Sequence, residues 1–288
     1  MFKTLVNNSS THLKRSFSLW KPNVPKHKIA LDPQTYRMAH PIWNIKDAEV
    51  VDISHFKPKG VRDWFAFSMM KCLRVGFDTF SGYKPGQMNE TLYLRRMIFL
   101  ETVAGVPGMI GAMVRHLKSL RGMSPDGGWI HHLLEEAENE RMHLFTFIKL
   151  RNPGIFFRLA VLLSQGIFIV GFSSLYMLSS RTAHRFVGYL EEEAVKTYTN
   201  CIRELDDGKL PIWMSMKAPE EAIKYWGLTP DASFRDVLVA IRADEAMHRE
   251  VNHHLADLHP EAPVDGHKYH VVENIIGESL RQGPYPHK

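Results

Sequence analysis

Glu140-Arg141-Met142-His143 and Glu245-Ala246-Met247-His248 are two copies of one pattern, a glutamate followed three residues later by a histidine. Residues three apart share one face of a helix, so each copy points a carboxylate and an imidazole at the same place. A further glutamate lies upstream of each copy, Glu101 before the first and Glu191 before the second. Four carboxylates and two imidazoles are the ligand set of a di-iron or di-manganese site in a four-helix bundle. The sequence therefore predicts an all-α, ferritin-like four-helix bundle with a dinuclear metal centre.

Glu101 gives the strongest argument that this site is buried. It is the only charged residue in the apolar stretch 97–114. A buried carboxylate without a partner is costly or must take up a proton, and a bound metal removes that cost. Glu191 is harder to single out, because it opens the acidic run 191–193, which could also be a solvated face. It lies seven residues before Tyr198 on the same helix face, among apolar neighbours, and we choose it for that reason.

The composition indicates a globular protein with a basic surface. The chain has 288 residues, of which 44% are hydrophobic and 23% charged, enough to bury a core in one or two domains. With only Cys72 and Cys201, it has neither a disulfide framework nor a C-x-x-C metal knuckle. The net charge of +5 is not interleaved with aromatic residues as in RNA-binding motifs. We expect an anionic membrane surface as partner, and no nucleic acid.

The N-terminal segment has the composition of an organelle transit peptide. Residues 1–31 contain no Asp or Glu but several Lys, Arg and Ser residues. A disordered basic tail would look similar. We expect a targeting presequence over about 1–28, a proline-containing extended arm over 29–60, the bundle over 61–260 and a tail over 261–288.

Helical periodicity accounts for the rest of the chain, and no convincing strand pattern appears. The predicted helices are 61–80, 88–120, 129–150, 155–178, 183–205 and 234–259, with a loop-rich connection over 209–231.

One of these segments is apolar enough to cross a bilayer. Residues 159–178 contain no charge and are long enough to span it. A single crossing would place the candidate ligands before it and after it on opposite sides, and no second apolar segment brings the chain back. We therefore expect the helix 155–178 to lie in one leaflet, together with the amphipathic helix 61–80. These are the two additional membrane-surface helices of the predicted fold.

The local sequence around the candidate ligands resembles that of a known family. Residues 139–144 read Asn-Glu-Arg-Met-His-Leu, and residues 242–248 read Arg-Ala-Asp-Glu-Ala-Met-His. The other matching stretches are 100–102, 104–109, 184–189 and 190–194. Over roughly residues 60–260 the chain closely resembles the alternative oxidases, the cyanide-insensitive ubiquinol oxidases of mitochondria.

The resemblance assigns roles to individual residues. It implies six iron ligands, namely Glu101, Glu140, His143, Glu191, Glu245 and His248. It gives Tyr198 a part in electron or radical transfer, although a bundle tyrosine satisfied by a hydrogen bond would look the same. The family's quinol pocket matches Arg96, Leu100, Leu190, Glu193, Ala194 and Thr197. Asn139 and Asp244 directly precede ligand glutamates and are candidates to orient the metal-bound histidines, though surface polar residues fit the spacing equally well.

The implied reaction is oxidation of ubiquinol with reduction of O2 to water, without proton pumping, at two non-haem iron ions per chain. The resemblance also implies a homodimer bound to one leaflet on the matrix face of the mitochondrial inner membrane. A demethoxyubiquinone hydroxylase-like di-iron monooxygenase is the nearest alternative. The sequence motifs around the candidate ligands favour the oxidase. A ferritin-like iron-binding protein would use the same ligands, but two lipid-seeking helices do not suit a soluble cage subunit.

Overall fold

A computed structural model gives the structure of the protein and describes residue 38 and residues 40–264. The predicted presequence 1–28 lies outside the described residues, as does the predicted tail beyond residue 264.

The described residues form nine helices and no β-strand, which confirms the predicted all-α class. The helices are α1 (Ile45–Ala48), α2 (Val61–Ser81), α3 (Glu90–Gly122), α4 (Trp129–Ile148), α5 (Ile155–Leu178), α6 (Ser180–Asp206), α7 (Pro211–Met214), α8 (Glu220–Trp226) and α9 (Phe234–Asp257).

Side chains hydrogen-bond the first turn of each of the four long helices that carry the predicted ligands. Asn89 starts α3 and Ser179 starts α6, each by accepting a hydrogen bond from a backbone N–H of the first turn. Ser233 and Asp236 form a capping box at the start of α9. At α4, Asp126 accepts a bond from the N–H of Ile130. These caps fix where each helix begins, and hence which side chains face inward.

The four ligand-bearing helices pack as two pairs. α3 packs along α4 and α6 packs along α9, and the two pairs also contact each other. A glycine lies at each close approach. A Cβ atom on Gly108 of α3 would lie 2.5 Å from the carbonyl oxygen of Leu133, and one on Gly188 of α6 would lie 2.5 Å from Nδ1 of His253. Larger residues would push the helices of each pair apart.

The connection 209–231 is more ordered than its prolines suggest. It contains α7 and α8, where the sequence predicted loops. Pro211 is the first residue of α7, a position that needs no backbone N–H. Trp213 and Trp226 in this connection are fully buried. Within the described part of the predicted arm 29–60, α1 forms one helical turn and Trp43 is buried.

Within the described part of the chain, two helices are long and apolar enough to cross a membrane, α3 and α5. In the most apolar 18-residue segment of α3, 44% of the residues are buried in the bundle. In the corresponding segment of α5, only 6% are buried. α5 packs on α3 and α6 and exposes most of its other apolar side chains, and α2, which packs on α6, exposes Trp64, Phe65 and Phe80. The two helices predicted to lie on a membrane surface therefore flank the bundle with apolar faces uncovered.

Candidate metal centre

The six predicted ligands meet in the core of the bundle and are all buried. Glu101 comes from α3, Glu191 from α6, and each E-x-x-H pair from α4 or α9. They form two overlapping groups whose nitrogen and oxygen atoms lie within 4.8 Å of one another. One group is Glu101, Glu140, His143 and Glu245; the other is Glu140, Glu191, Glu245 and His248. Glu140 and Glu245 belong to both, as expected of carboxylates that serve two metal ions.

Both imidazoles present Nδ1 to the carboxylates. Nδ1 of His143 lies 3.4 Å from an oxygen of Glu101, 3.4 Å from one of Glu140 and 3.5 Å from one of Glu245. Nδ1 of His248 lies 2.8 Å from Glu140 Oε1 and 3.9 Å from Glu245 Oε2. These contacts lack hydrogen-bond geometry, so the nitrogens and several of the oxygens remain without a hydrogen bond.

This set of atoms fits a metal site. Buried polar atoms without a hydrogen bond are rare in folded proteins and need a specific explanation. Here they cluster on Glu101, Glu140, Glu245 and the two histidines. Carboxylate oxygens combined with imidazole nitrogens suit iron and manganese, and a cation at their centre would satisfy them all together.

The pKa values of the cluster also indicate an excess of buried negative charge. Burial raises the pKa of Glu101 to about 8, against the opposing effect of His143. Burial, followed by repulsion from Glu245 and Glu140, holds the pKa of Glu191 well above its usual range. Burial lowers the pKa of His248, but the neighbouring carboxylates of Glu140, Glu136 and Glu245 together raise it to about 9. Carboxylates that retain protons beside imidazoles that retain charge are typical of a site built for cations.

Asp244 anchors the ring of His143. Its Oδ2 atom lies 3.0 Å from Nε2 of His143 and accepts hydrogen bonds from Asn139 (3.0 Å) and the indole of Trp226 (2.8 Å). Its Oδ1 atom accepts from the indole of Trp43 at 2.7 Å. The two predicted orienting residues, Asn139 and Asp244, are thus in contact with each other, and Asp244 touches a predicted ligand. The tryptophans were missed from the sequence; the only signal for Trp226 was an aromatic pair, Tyr225-Trp226, inside an apparent loop.

A different chain of contacts supports His248. The side-chain amide of Asn252 donates to the carbonyl oxygen of His248 at 3.0 Å and to Glu136 Oε2 at 2.9 Å. The Oδ1 atom of Asn252 lies 3.0 Å from Nδ1 of His184, and Nε2 of His184 lies 3.2 Å from the Tyr176 hydroxyl. Burial lowers the pKa of His184 to about 4, so this histidine is neutral at pH 7.

The acidic run 191–193 points in three directions, which explains why only Glu191 joins the cluster. Glu192 turns away and lies 2.9 Å from Nε2 of His253. Glu193 turns toward α2, where Lys71 donates to it at 2.5 Å. All three glutamates are buried, so the run is not a solvated face.

Tyr198 lies directly beside the cluster. Its hydroxyl donates to Glu101 Oε1 at 2.5 Å, and burial followed by the charge of Glu101 raises its pKa well above the usual range. The tyrosine therefore keeps its proton and touches a predicted metal ligand.

A cavity of about 510 Å³ opens between α2, α3, α5 and α6 and reaches Tyr198, Glu101, Glu191 and Glu245. Its wall includes five of the six predicted quinol-pocket residues: Leu100, Leu190, Glu193, Ala194 and Thr197.

The sixth predicted pocket residue, Arg96, lies behind the cavity wall. Its guanidinium donates to Asp78 at 2.5 Å and to Ser81 at 2.9 Å. The arginine that lines the cavity is Arg74, which the sequence reading did not select. Arg74 donates to the Thr197 hydroxyl at 3.2 Å and to Asp78 at 2.6 Å.

Comparison with known proteins matches residues 43–257 to the family model described as alternative oxidase. The protein called alternative oxidase, mitochondrial, of Emericella nidulans is 52% identical over 231 residues, covering 76% of this chain and 65% of the relative. That of Trypanosoma brucei brucei is 52% identical over 219 residues, covering 76% and 66%. That of Cryptococcus neoformans var. grubii is 45% identical over 257 residues, covering 81% and 64%. The chain thus spans slightly less than two thirds of the length of these relatives.

Proposed function

Because this chain belongs to the alternative oxidase family, we propose that it is a mitochondrial ubiquinol oxidase that reduces O2 to water at a di-iron centre and does not pump protons. Membership of the family makes it an oxidoreductase; the substrate, the metal and the location are our proposal.

One observation carries the choice of substrate. The cavity is apolar over most of its wall, it is framed by the two helices with uncovered apolar faces, and it ends at Tyr198 and three of the clustered carboxylates. A lipid-soluble reductant can pass along such a wall, whereas a charged reductant would lose its hydration without compensation. A ubiquinol has the matching chemistry, with an apolar body and two hydroxyl groups.

Iron is the proposed cofactor, held by Glu101, Glu140, His143, Glu191, Glu245 and His248. When bound, a pair of iron ions would supply the redox chemistry through which O2 accepts the electrons of quinol. The protein contributes a dry site, and Asp244 holds the His143 ring so that Nδ1 faces the cluster.

Two polar side chains in the cavity wall can orient the quinol head group. The Thr197 hydroxyl donates to the carbonyl oxygen of Glu193 at 2.8 Å and accepts from Arg74 at 3.2 Å, which leaves its oxygen one lone pair to accept a bond from the quinol. Arg74 supplies donors on the same wall, and Asp78 holds its guanidinium in place. Arg96 acts on the pocket indirectly in this proposal, because it fixes Asp78 from behind. Leu100 and Leu190 would pack on the ring.

We place α2 and α5 in one leaflet of the membrane. Residues before α5, such as Glu140, and residues after it, such as Glu191, lie in the same buried cluster. This supports a helix that does not carry the chain across the bilayer, and its apolar side chains would then be solvated by lipid. By family we place this surface on the matrix face of the mitochondrial inner membrane.

We also propose that the protein is a homodimer. A stripe of exposed apolar side chains runs along the C-terminal half of α3, at intervals of three or four residues. Its members are Met109, Met113, Leu117 and Leu120. A second copy packed on this stripe would cover it without covering α2 or α5.

The test is to purify the protein with lipid, count bound iron and follow O2 uptake with a short-chain quinol in the presence of cyanide. We expect about two irons per chain, as in di-iron bundles, and uptake that cyanide leaves intact. The recovered product should be the unmodified quinone, whereas a ring-hydroxylated product would favour the monooxygenase alternative. Uptake that cyanide abolishes would contradict the proposal.

A pair of matched variants tests the cavity. Thr197→Val removes the hydroxyl on the cavity wall and should raise KM for quinol more than it lowers kcat. Thr199→Val, two residues on, removes a hydroxyl that donates to the carbonyl oxygen of Val195 and does not line the cavity, so it should leave KM unchanged. Equal behaviour of the two variants would argue against quinol binding here.

A further inference from the structure

Two buried tyrosine–carboxylate pairs connect α3 and α6. In the first, Tyr198 of α6 donates to Glu101 of α3. In the second the roles are reversed, and Tyr93 of α3 donates to Glu204 of α6 at 3.0 Å. Tyr93 is fully buried and Glu204 is 4% exposed. At 1.5 Å per residue, the two pairs are separated by about 9 Å along α6 and about 12 Å along α3.

The second pair has a feature that a purely structural contact does not need. Glu204 Oε1 accepts from Tyr93 and also from the backbone N–H of Gly86 at 2.5 Å, which ties down the turn before α3. Its other oxygen, Oε2, is buried and has no hydrogen-bond partner among the described residues. A neutral amide oxygen could accept both of those bonds at a lower cost of burial. The carboxylate of Glu204, with one oxygen free of hydrogen bonds to the described residues, can therefore accept the proton of the neighbouring phenol.

A continuous series of aromatic contacts leads from Tyr198 to Tyr93. The ring of Tyr198 lies 6.4 Å from that of Phe147, Phe147 lies 6.4 Å from Phe234, and Phe234 lies 5.0 Å from Trp213. Trp213 in turn lies 6.3 Å from Tyr93. Met97 on α3 and Cys201 on α6 are buried between the pairs on their own helices. This dry, continuous packing is a suitable medium for electron transfer between the two tyrosines.

We propose that Tyr93 is a second redox-active tyrosine, which takes over an oxidising equivalent from Tyr198 when the cavity holds no quinol, with Glu204 as its proton acceptor. The inference rests on the proposed function, since O2 reduced at the iron-loaded site would be the oxidant, and on the role in electron or radical transfer that the family resemblance implies for Tyr198.

The transfer balances in electrons and protons. Tyr93 gives one electron to oxidised Tyr198 and passes its hydroxyl proton to Glu204, which leaves a neutral tyrosyl radical and a carboxylic acid. Tyr198 regains its electron and the proton that it gave up on oxidation, so its O–H bond forms again. A later quinol supplies one electron to Tyr93 and releases one proton to water, which leaves a neutral semiquinone, and the proton on Glu204 returns to the phenol. The oxidising equivalent is thereby kept away from the ligands until a reductant arrives.

The neighbouring tyrosine shows why Tyr93 is the end of this path. The ring of Tyr83 lies 6.4 Å from that of Tyr93, but the guanidinium of Arg96 lies 4.0 Å and that of Arg74 5.2 Å from its centre. Two cations over the ring oppose loss of an electron. Its hydroxyl meets only the Asn200 amide, at 3.4 Å, in the hydrogen bonds of the described residues. Tyr83 therefore lacks a proton acceptor of the kind that Glu204 provides.

The experiment is to reduce the iron-loaded protein, mix it with O2 without quinol, freeze samples at increasing times and record tyrosyl radicals by electron paramagnetic resonance. The wild type should show an early signal that Tyr198→Phe removes and a later one that Tyr93→Phe removes. In Tyr93→Phe the early signal should persist longer. Glu204→Gln, which keeps the shape of the side chain but cannot take the proton, should also lose the later signal. Tyr83→Phe is the matched control and should behave as the wild type.

Several outcomes would overturn the inference. These are a wild type without a later signal, a later signal that survives Tyr93→Phe, and a Glu204→Gln protein with wild-type radicals. A structural role of the pair would lower the melting temperature of the variants without changing the sequence of signals, so thermal melting is measured alongside. Quinol oxidation by the wild type is assayed separately, and its loss would instead contradict the proposed function.

Discussion

The two E-x-x-H copies are nearly identical in sequence, yet the structure supports their histidines in opposite ways. His143 is backed by Asp244, a fully buried residue whose carboxyl meets two indoles and an amide. Burial tends to raise the pKa of Asp244, but His143 lowers it below its usual value, so the group is a carboxylate. At His248, Asn252 bonds the backbone carbonyl oxygen and not the imidazole, and its other hydrogen bonds are to Glu136 and to the neutral His184.

This difference shows that a repeated motif fixes the ligands but not the electrostatics around them. A carboxylate behind an imidazole makes that nitrogen a stronger donor to a metal, whereas a neutral amide behind a backbone carbonyl only holds the helix in place. The centre thus has two halves, one around His143 and the other around His248. We expect these halves to respond differently to substitution and to pH. Three predictions test this, beginning with a control in which the halves should not differ.

Removing a carboxylate shared by both halves should have the largest effect. Glu140 belongs to both ligand groups and contacts both histidines. Glu140→Ala should therefore abolish iron binding and quinol oxidation together, because neither group keeps its ligands. Iron analysis and O2 uptake on the same preparation measure this.

Glu138→Ala is the matched control on the same helix. Glu138 bonds Arg141 at the protein surface and faces away from the cluster. Its loss should leave the iron content and turnover unchanged. A Glu140→Ala protein that keeps one tightly bound iron would show that the halves bind metal independently, and the assignment of Glu140 to both would be wrong.

The clustering of the six candidate ligands was predictable from the sequence because it depends mainly on the helical period. Residues three apart share a face in any helix, and Glu101 is conspicuous in an apolar stretch. Ser233 with Asp236 likewise marks a helix start by a local rule.

The partners of these residues depend on tertiary packing, and no local rule predicts them. Trp43 reaches Asp244 across 201 positions of sequence. Arg74 faces the cavity and Arg96 lies behind it because of how α2 sits against α6, although both are arginines on amphipathic helices. Pro211 looked like a helix breaker but begins a helix. The different support of His143 and His248 therefore follows from the fold and cannot be read from the E-x-x-H motif.

The next prediction concerns pH and the half of the centre that contains His248. The pKa of His184 is about 4 in the folded protein because of burial, against about 6.5 in an unfolded chain. Between these values the unfolded chain binds a proton that the folded protein does not, so stability falls as the pH falls. From pH 7 to pH 5 this group should cost about 2 kcal/mol of unfolding free energy.

Urea unfolding at the two pH values measures this loss. His184→Gln should flatten the pH dependence, because it removes the titrating group. The exposed His116→Gln on α3 should keep the slope of the wild type. If His184→Gln keeps the full pH dependence of the unfolding free energy, then His184 is already protonated at neutral pH. The statement that His184 is neutral would then be wrong.

The last prediction compares the supports of the two histidines directly. Asp244→Asn keeps the size of the side chain but removes the charge behind His143, and its amide group cannot accept all the bonds that the carboxylate accepts. We expect iron binding to weaken on the order of 10- to 100-fold, as is typical for residues that orient metal-bound histidines. Asn252→Ala removes bonds to Glu136 and His184, but at His248 itself it removes only a bond to the backbone carbonyl oxygen, so it should weaken iron binding by less. Titration of both variants with iron in the presence of a competing chelator gives the two affinities. Equal losses would mean that Asp244 holds the helices together, as Asn252 does, and has no electrostatic role at the metal.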